Sequence, residues 1–305
     1  MLRDAVFEGN DIASGRLVSE SGAEYQIVRG IPRFVPDHYA KGFGLQWNRH
    51  DLTQIDTRMH RHSADRFWGE TGLTPQGIEG RLIVDGGGCG AGRFANVAAK
   101  AGARVVAVDL SEAVDACYRN NQGLDVAVVQ ASLFDLPFRK HTFEHGFTIG
   151  VIQHTPDPLR ALRGVADLIK PGGEFAVSWY KKYWYTYLHQ KYMLRPIFKG
   201  WDERKLYRFV SWYVPKLLPL SRLLAKIMPA GLVDRIVPVA NRDGIEGLTE
   251  QEKLEWAVLD TYDWFNPVYD KPQTWRAVES AMRSLGYACE RAPLRRRGLH
   301  CTRQA

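Results

Sequence analysis

From residue 81 onward the chain alternates short, wholly apolar runs with stretches whose apolar residues recur at helical spacing. Leu82 to Val84 is the first such run. It breaks into glycines at 86, 87, 88, 90 and 92 around Cys89 before 94–100 takes up helical spacing. An apolar run without alternation reads as a strand covered on both faces, as in a parallel sheet. Residues 103–109, 125–130, 144–150 and 174–179 supply four more such strands, with a helix after the fourth running to Leu168. Strand and helix in regular alternation predict an α/β fold built on a doubly wound sheet. Thr249 to Glu252 is a capping box that starts a helix, and Thr274 starts another that ends at Gly286. Residues 287–292 and 298–303 predict an antiparallel hairpin at the sheet edge, with Arg295 to Arg297 in a solvated turn.

The glycine cluster carries chemistry as well as geometry. A tight turn from a buried strand into a helix uses backbone angles closed to other residues, and bare main chain lets a small, nucleotide-like ligand approach the amides. An acid at the end of the next strand, Asp109, stands about 20 residues on, where a ribose hydroxyl pair is bound in such folds. Residues 90–95 also fit the G-x-G-x-x-A of nicotinamide enzymes, but no dehydrogenase catalytic pattern accompanies it.

Three further regions change the picture. Residues 1–36 read as short strands joined by turns, and 39–73 as one or two helices leading into the first strand. The latter could fold over the glycine turn as a lid; the plainer expectation is that Phe43, Trp47, Phe67 and Trp68 are packing residues. His60 and His62 would face different sides of a helix, so no metal site is expected. Residues 181–245 are basic and aromatic and are broken by Pro196, Pro215, Pro219, Pro229 and Pro238. Of the net charge of +7, this stretch holds twelve Lys/Arg against three acids between Lys181 and Arg235. Leu223, Leu224, Ile227 and Met228 have helical spacing there. Such a surface suits a membrane, a lipid-linked substrate or a nucleic acid, or is simply the solvated face of a helical subdomain. The four cysteines form no C-x-x-C pair, so neither a disulfide framework nor a zinc knuckle is expected, and a reducing cytoplasm, with contact at a membrane periphery, is the expected setting. No apolar run at the amino terminus serves as a signal peptide.

Glycine turn, acid after the second strand, Leu136-Pro137-Phe138 after the third, His154-x-Pro156-Asp157 after the fourth and Lys170 to Gly173 before the fifth occur in that order. In this the chain resembles the class I S-adenosylmethionine-dependent methyltransferases, of the group that includes ubiquinone-biosynthesis and sugar methyltransferases. The resemblance implies a Rossmann-like, seven-stranded sheet whose last strand is antiparallel. It divides the chain into a cap (1–80), a core (81–180 and 246–305) and a helical insertion (181–245). It also implies S-adenosylmethionine as cofactor, S-adenosylhomocysteine as product, a small-molecule acceptor and no metal. Asp85, Gly86, Gly88, Gly90, Asp109, Leu110, Ser132, Leu133 and Gly150 are then the expected cofactor contacts. Two positions depart from the family. Counting back along D-x-G-x-G-x-G puts Gly86 where the acid usually stands, with Asp85 one residue early, and Ser132 stands where an acid often meets the adenine amino group. Residues 1–36 resemble the zinc-ribbon-like module of the Trm112 family, with Val18 and Ser21 in place of metal-binding cysteines.

Methyl transfer from a sulfonium is an in-line displacement that needs alignment and, for a hydroxyl acceptor, removal of a proton. His154, whose ordinary pKa lies near neutrality, is the expected base, as the corresponding histidine is implicated to be in similar sugar methyltransferases. Its other expected role is to fix its loop through the backbone. Asp157 is expected to cap the following helix. Trp179, Tyr180, Tyr262, Asp263 and Trp264 are expected to line the acceptor pocket. The resulting expectation is O-methylation of a sugar, a phenol or a lipid-linked intermediate, the alternatives being an RNA methyltransferase using the basic insertion and a non-catalytic protein on a cofactor-binding fold. Base N-methylation is disfavoured, because 151–156 carries no N-P-P-Y type signature.

Overall fold

A computed structural model describes residues 1–9, 11–35, 41–293 and 298–305 of the chain. The Phe43 side chain and the turn at 295–297 lie outside the described residues. The chain opens with strands β1 (Leu2–Glu8), β2 (Asp11–Val18), β3 (Glu24–Val28) and β4 (Ile31–Arg33), then helices α1 (Lys41–Arg49), α2 (His62–Thr71) and α3 (Pro75–Ile78). The alternating unit follows as β5 (Leu82–Asp85), α4 (Arg93–Lys100), β6 (Arg104–Asp109), α5 (Ala113–Asn120), β7 (Val126–Gln130), β8 (Phe143–Ile149), α6 (Pro158–Ala166) and β9 (Ile169–Ser178). Helices α7 (Gln190–Phe198), α8 (Glu203–Ala225), α9 (Ala230–Ile236) and α10 (Glu250–Phe265) form the insertion and its continuation. The chain closes with α11 (Trp275–Ser284), β10 (Tyr287–Arg291) and β11 (Gly298–Arg303).

One sheet runs through the whole, in the order β1-β2-β3-β4-β7-β6-β5-β8-β9-β11-β10. From β7 to β9 the strands are parallel, and β11 is antiparallel to both its neighbours. The strand order reverses between β5 and β8, which opens a crevice at the carboxyl ends of the strands there. Strands β5 to β11 make the expected seven, and among the described residues the sheet gains four more, to eleven. The added four are an antiparallel meander, β1 to β4, that joins the core where β4 meets β7 in parallel at Arg33 and Gln130. Side chains fix that junction. The Arg33 guanidinium donates to Gln130 Oε1 at 2.8 Å and pairs with Asp115 at 2.9 Å, while Ile31 is fully buried. At the positions where the resemblance would place metal-binding cysteines, Val18 is buried and Ser21 shares a hydrogen bond with Ser19.

Two apolar layers cover the sheet. Phe143, Leu162, Val165, Ile169 and Phe175 pack with Val278 and Met282 on one face, and Phe67, Ile83, Phe94, Ala95 and Phe147 on the other. The segment 170–173 is not a turn before β9 but a bulge within it: Phe143 faces Ile169, and two residues on, His145 faces Glu174. A second correction concerns the cysteines. Cys289 and Cys301 stand opposite each other in the β10–β11 hairpin and are joined by a disulfide, while Cys89 and Cys117 are free and buried. Pairing across strands was invisible to a reading that looked only for close sequence spacing.

Prolines expected to break the insertion do not do so at 215 and 219, and α8 runs through both. Each costs backbone hydrogen bonding. The cost is offset by Leu206, Val210, Val214 and Leu218, which bury one face of α8 against Tyr262 and Phe265 of α10. The opposite face carries Trp212, Leu220 and Leu223 into solvent. Ile227 and Met228 fall past the end of α8, and of the expected amphipathic set Leu224 and Met228 pack inward while Leu223 and Ile227 are exposed. Among the described residues no helix is long and apolar enough to cross a membrane.

The aromatics of 39–73 were expected as packing residues, and Phe67 is one. Phe67 of α2 is a core residue at 0% exposure, edge-on to Phe147 at 5.0 Å and stacked on Phe94. Truncating Phe67 to Ala should cost about 3–5 kcal/mol of unfolding free energy. Urea denaturation checks this; a loss below 1 kcal/mol would mean that α2 is held loosely, as a lid is.

Candidate active site

The site is assembled where β5, β6, β8 and β9 end. Asp85 is the last residue of β5 and is 3% exposed; its Oδ2 finds no hydrogen-bond donor among the described residues. Burial, and the charge of Asp109 beyond it, hold its carboxyl well above the ordinary carboxylate range, against the pull of Arg93. The position one residue later has no room for a side chain. The Gly86 amide donates to Phe147 O at 2.8 Å, and a Cβ there would come within 2.2 Å of Val165 Cγ1. The shift of the acid from 86 to 85 is thus built into the strand end, and the extra residue is absorbed in the turn. At Gly88 the backbone is left-handed, φ 71°, and a Cβ would meet Val151 at 2.7 Å.

Asp109, at the end of β6, is pinned by amides. Its Oδ2 accepts from Gly90 N at 3.0 Å and its Oδ1 from Ser111 N and Oγ at 2.8 and 2.7 Å. Burial raises its pKa, and those hydrogen bonds pull it back down. The carboxylate therefore ties the glycine turn to the second strand while keeping acceptor capacity, since two oxygens offer about four lone-pair sites. Leu110 accepts from Gln130 Nε2 through its carbonyl, Ser132 Oγ accepts from Phe134 N, and Leu133 packs over Gly87. Gly150, φ 71°, donates to Ser178 O at 2.8 Å and lies beside the Arg66 guanidinium and Gln153. All nine expected cofactor positions thus stand at or just beyond the carboxyl ends of β5 to β8.

Trp47, expected as a packing residue, and three residues not singled out from the sequence, Arg66, Glu70 and Arg93, complete this end of the sheet. Trp47 from α1 lies over Gly90, 3.1 Å from where a Cβ would stand. Arg66 donates through Nε to Glu70 at 2.9 Å, and the buried Glu70 accepts from Ser178 Oγ at 2.6 Å. Arg93 starts α4 and lies over the Phe94 ring at 4.3 Å, with burial first and Arg66 second pushing its pKa down. An Arg66–Glu70 pair at i,i+4 was legible as a helical ion pair; its place beneath Gly150 was not.

His154 closes a 3-10 turn, Ile152 to His154, after β8, and Asp157 caps α6 through Arg160 N, as expected. Its Nδ1 lies 3.1 Å from Tyr269 O, so that nitrogen donates and Nε2 carries the lone pair of the neutral ring. Tyr180 meets the ring edge at 5.3 Å. Burial holds the imidazole below its ordinary pKa, while Asp263 and Asp270 pull upward. Lys191 is buried, pairs with Asp270 at 2.5 Å and stands over the Tyr180 ring at 4.3 Å; Tyr192 donates to the same carboxylate. Of the expected acceptor contacts, Tyr180 and Asp263 are brought to His154. Trp179 and Tyr262 are not: Trp179 is buried against Trp275 with its indole on Gln273 O, and Tyr262 is fully buried against Tyr207. Trp179, one residue past the end of β9, and Tyr262 of α10 are thus both core residues. Trp264 packs on His189.

His60 and His62 do not face different sides. His60 precedes α2, and both rings lie against Trp256, at 6.1 and 5.2 Å. Among the described residues no group of His, Cys, Asp and Glu is arranged to hold a metal ion.

A doubly wound sheet with a glycine turn after β5 and a buried acid after β6 defines a nucleotide-type cofactor fold. Residues 86–177 match the methyltransferase domain family Methyltransf_11. A ubiquinone biosynthesis O-methyltransferase from Vibrio parahaemolyticus is 31% identical over 212 residues, which cover 67% of this chain and 75% of that protein. The corresponding protein of Alkalilimnicola ehrlichii is 33% identical over 132 residues, 41% of this chain, and the match spans 53% of its own length. The chain thus spans only about half the length of that relative. A solved S-adenosylmethionine-dependent methyltransferase from Aquifex aeolicus is 16% identical, with 85% of this chain and 96% of that one covered at a TM-score of 0.42. The chain belongs to the class I S-adenosylmethionine-dependent methyltransferase family.

Burial and the nearby cations Arg93, Arg66 and Arg242 lower the His62 pKa from 6.5 to about 4. Protonation therefore favours the unfolded chain: the stability from keeping His62 neutral is full above pH 6.5 and is lost as pH falls toward about 4. Urea unfolding across that window should give a stability that declines with falling pH, with a shallower decline in His62→Asn. Equal slopes in the two proteins would remove His62 as the cause.

Proposed function

We propose that the chain transfers a methyl group from S-adenosylmethionine to a hydroxyl of a small polar acceptor. The observation that carries the reading is the buried Asp85 oxygen without a donor, set beside a glycine turn that admits no side chains. A buried carboxylate left unsatisfied costs free energy, and an ammonium group is the partner that relieves it. The amino-acid end of the cofactor has that ammonium. Asp85 and the main chain of 86–90 would hold it, with Arg66 and Arg93 supplying cations for its carboxylate. Asp109 would hold the ribose, and Leu110, Ser132 and Leu133 would flank the base. Gly150 leaves the floor open between donor and acceptor. When bound, the cofactor supplies an electrophilic methyl on a sulfonium.

His154 is neutral at physiological pH, with Tyr269 O fixing its tautomer so that Nε2 has the lone pair that takes a proton. Asp263 is on hand to stabilise the imidazolium that forms. An RNA acceptor is less well supported, because the basic insertion spends one face on its own core and several of its cations on ion pairs.

Calorimetric titration tests the cofactor assignment. Wild type should bind S-adenosylmethionine and ignore NAD, and Asp109→Asn should weaken binding by about 10- to 100-fold, the worth of hydrogen bonds to a charged group. Undiminished affinity in Asp109→Asn, or preference for NAD, would overturn the assignment. For the base, kcat should fall on an acidic limb whose pKa lies below 6.5. His154→Ala should lose about 100-fold or more in kcat at unchanged cofactor affinity. Near-normal turnover in that variant would leave His154 a loop anchor.

A further inference from the structure

A cavity at the start of the insertion adjoins the His154 group and has no part in the chemistry described above. It is lined by Lys181, Tyr183, Tyr185, His189, Lys191 and Arg235, with Thr186 and Tyr192 at its wall, and encloses about 220 Å³. Lys191 joins it to the site: one side of that lysine faces the cavity, and its ammonium stands 4.3 Å from the ring of Tyr180, whose other neighbour is His154 at 5.3 Å. The walls are aromatic. Tyr183 and Tyr185 stack at 5.3 Å with their planes 10° apart, and Trp184, 89% exposed, meets Tyr185 edge-on at the mouth.

Charge around the cavity does not cancel. Asp270 neutralises Lys191, and Asp234 directs its main-chain carbonyl to Gln190. Arg235 has no carboxylate partner among the described residues; its guanidinium lies only over the Tyr185 ring, at 5.0 Å. His189 is pushed below its ordinary pKa by burial first, with Lys191 and Arg235 adding to the shift. A planar guanidinium held on an aromatic face presents a fork of donors that suits phosphate oxygens.

We propose that this cavity binds a phosphate or diphosphate group carried by the acceptor, so that the substrate is a phosphorylated compound whose reactive hydroxyl reaches His154 past Tyr180. The inference rests on the methyl-transfer reading for the word acceptor, but the anion site is testable without turnover. Two sources offer the same chemistry: a soluble sugar or nucleotide phosphate, and the headgroup of a phosphorylated lipid whose chain would lie along the exposed Leu188, Met193 and Ile197.

Inorganic pyrophosphate is the probe, titrated into the full chain by calorimetry. Wild type should bind it, Arg235→Ala should weaken binding at least tenfold, and Lys199→Ala, in the same basic stretch but outside the cavity, should not. Arg235 is exposed and makes no ion pair with a described residue, so its loss leaves the fold intact, which a melting curve confirms. Equal pyrophosphate affinity in wild type and Arg235→Ala, or none in wild type, overturns the proposal. Cosedimentation with phosphatidylcholine vesicles, with and without phosphatidylglycerol, then separates the sources: binding that needs the anionic lipid and Arg235 assigns a lipid headgroup, and its absence alongside pyrophosphate binding assigns a soluble phosphate. S-adenosylmethionine titrated into the same variant should bind as to wild type. Failure of wild type to bind that cofactor would sink the methyl-transfer reading and leave the anion site standing.

Discussion

Two buried carboxylates govern this molecule. Asp85 and Asp109 end neighbouring parallel strands, burial raises the pKa of both, and the charge of Asp109 adds to the reluctance of Asp85 to ionise. One is stabilised by main-chain amides, which fix the turn between β5 and α4. The other keeps an oxygen unsatisfied. A fold that tolerates such a pair needs a compensating ligand or a large reserve of packing, and the two apolar layers around β5 and β8 supply the reserve.

Packing and chemistry are therefore coupled at the glycine turn. Val165, Leu133, Val151 and Trp47 press on it from four directions, so its amides can point only one way. The same crowding joins distant parts of the chain: Val165 belongs to the helix after β8, and Trp47 comes from before the first core strand. Beneath it, Arg66, Glu70 and Ser178 link α2 to the end of β9. A perturbation in the amino-terminal helices would reach the cofactor end without touching any family motif.

The insertion follows a different logic. Its core is aliphatic and aromatic, built on α8 and α10, and it tolerates two prolines within a long helix because one buried face outweighs the lost hydrogen bonds. What it leaves outside is cationic and aromatic, and it delivers Lys191 and Tyr192 to the edge of the His154 group. The helices after β9 thus meet the His154 group through Lys191 on the Tyr180 ring and through Asp270.

Local rules made part of this legible in sequence. Apolar runs gave the first four central strands to within a residue or two, because a strand buried on both faces leaves no polar alternation, while β9 begins five residues earlier than expected; glycines marked the turn, and a capping box marked α10. Asp109 ends β6 and Asp157 caps α6, as local rules for strand ends and helix caps lead one to expect. Tertiary structure alone decided the rest. The meander β1 to β4 joins the seven core strands because Arg33 finds Gln130 and Asp115, 97 and 82 residues on. Cys289 meets Cys301 because a hairpin register sets them opposite, Trp179 and Tyr262 turn into cores instead of a pocket, and Lys191 finds Asp270. Each is a pairing between positions far apart in the chain, and periodicity carries information only about neighbours.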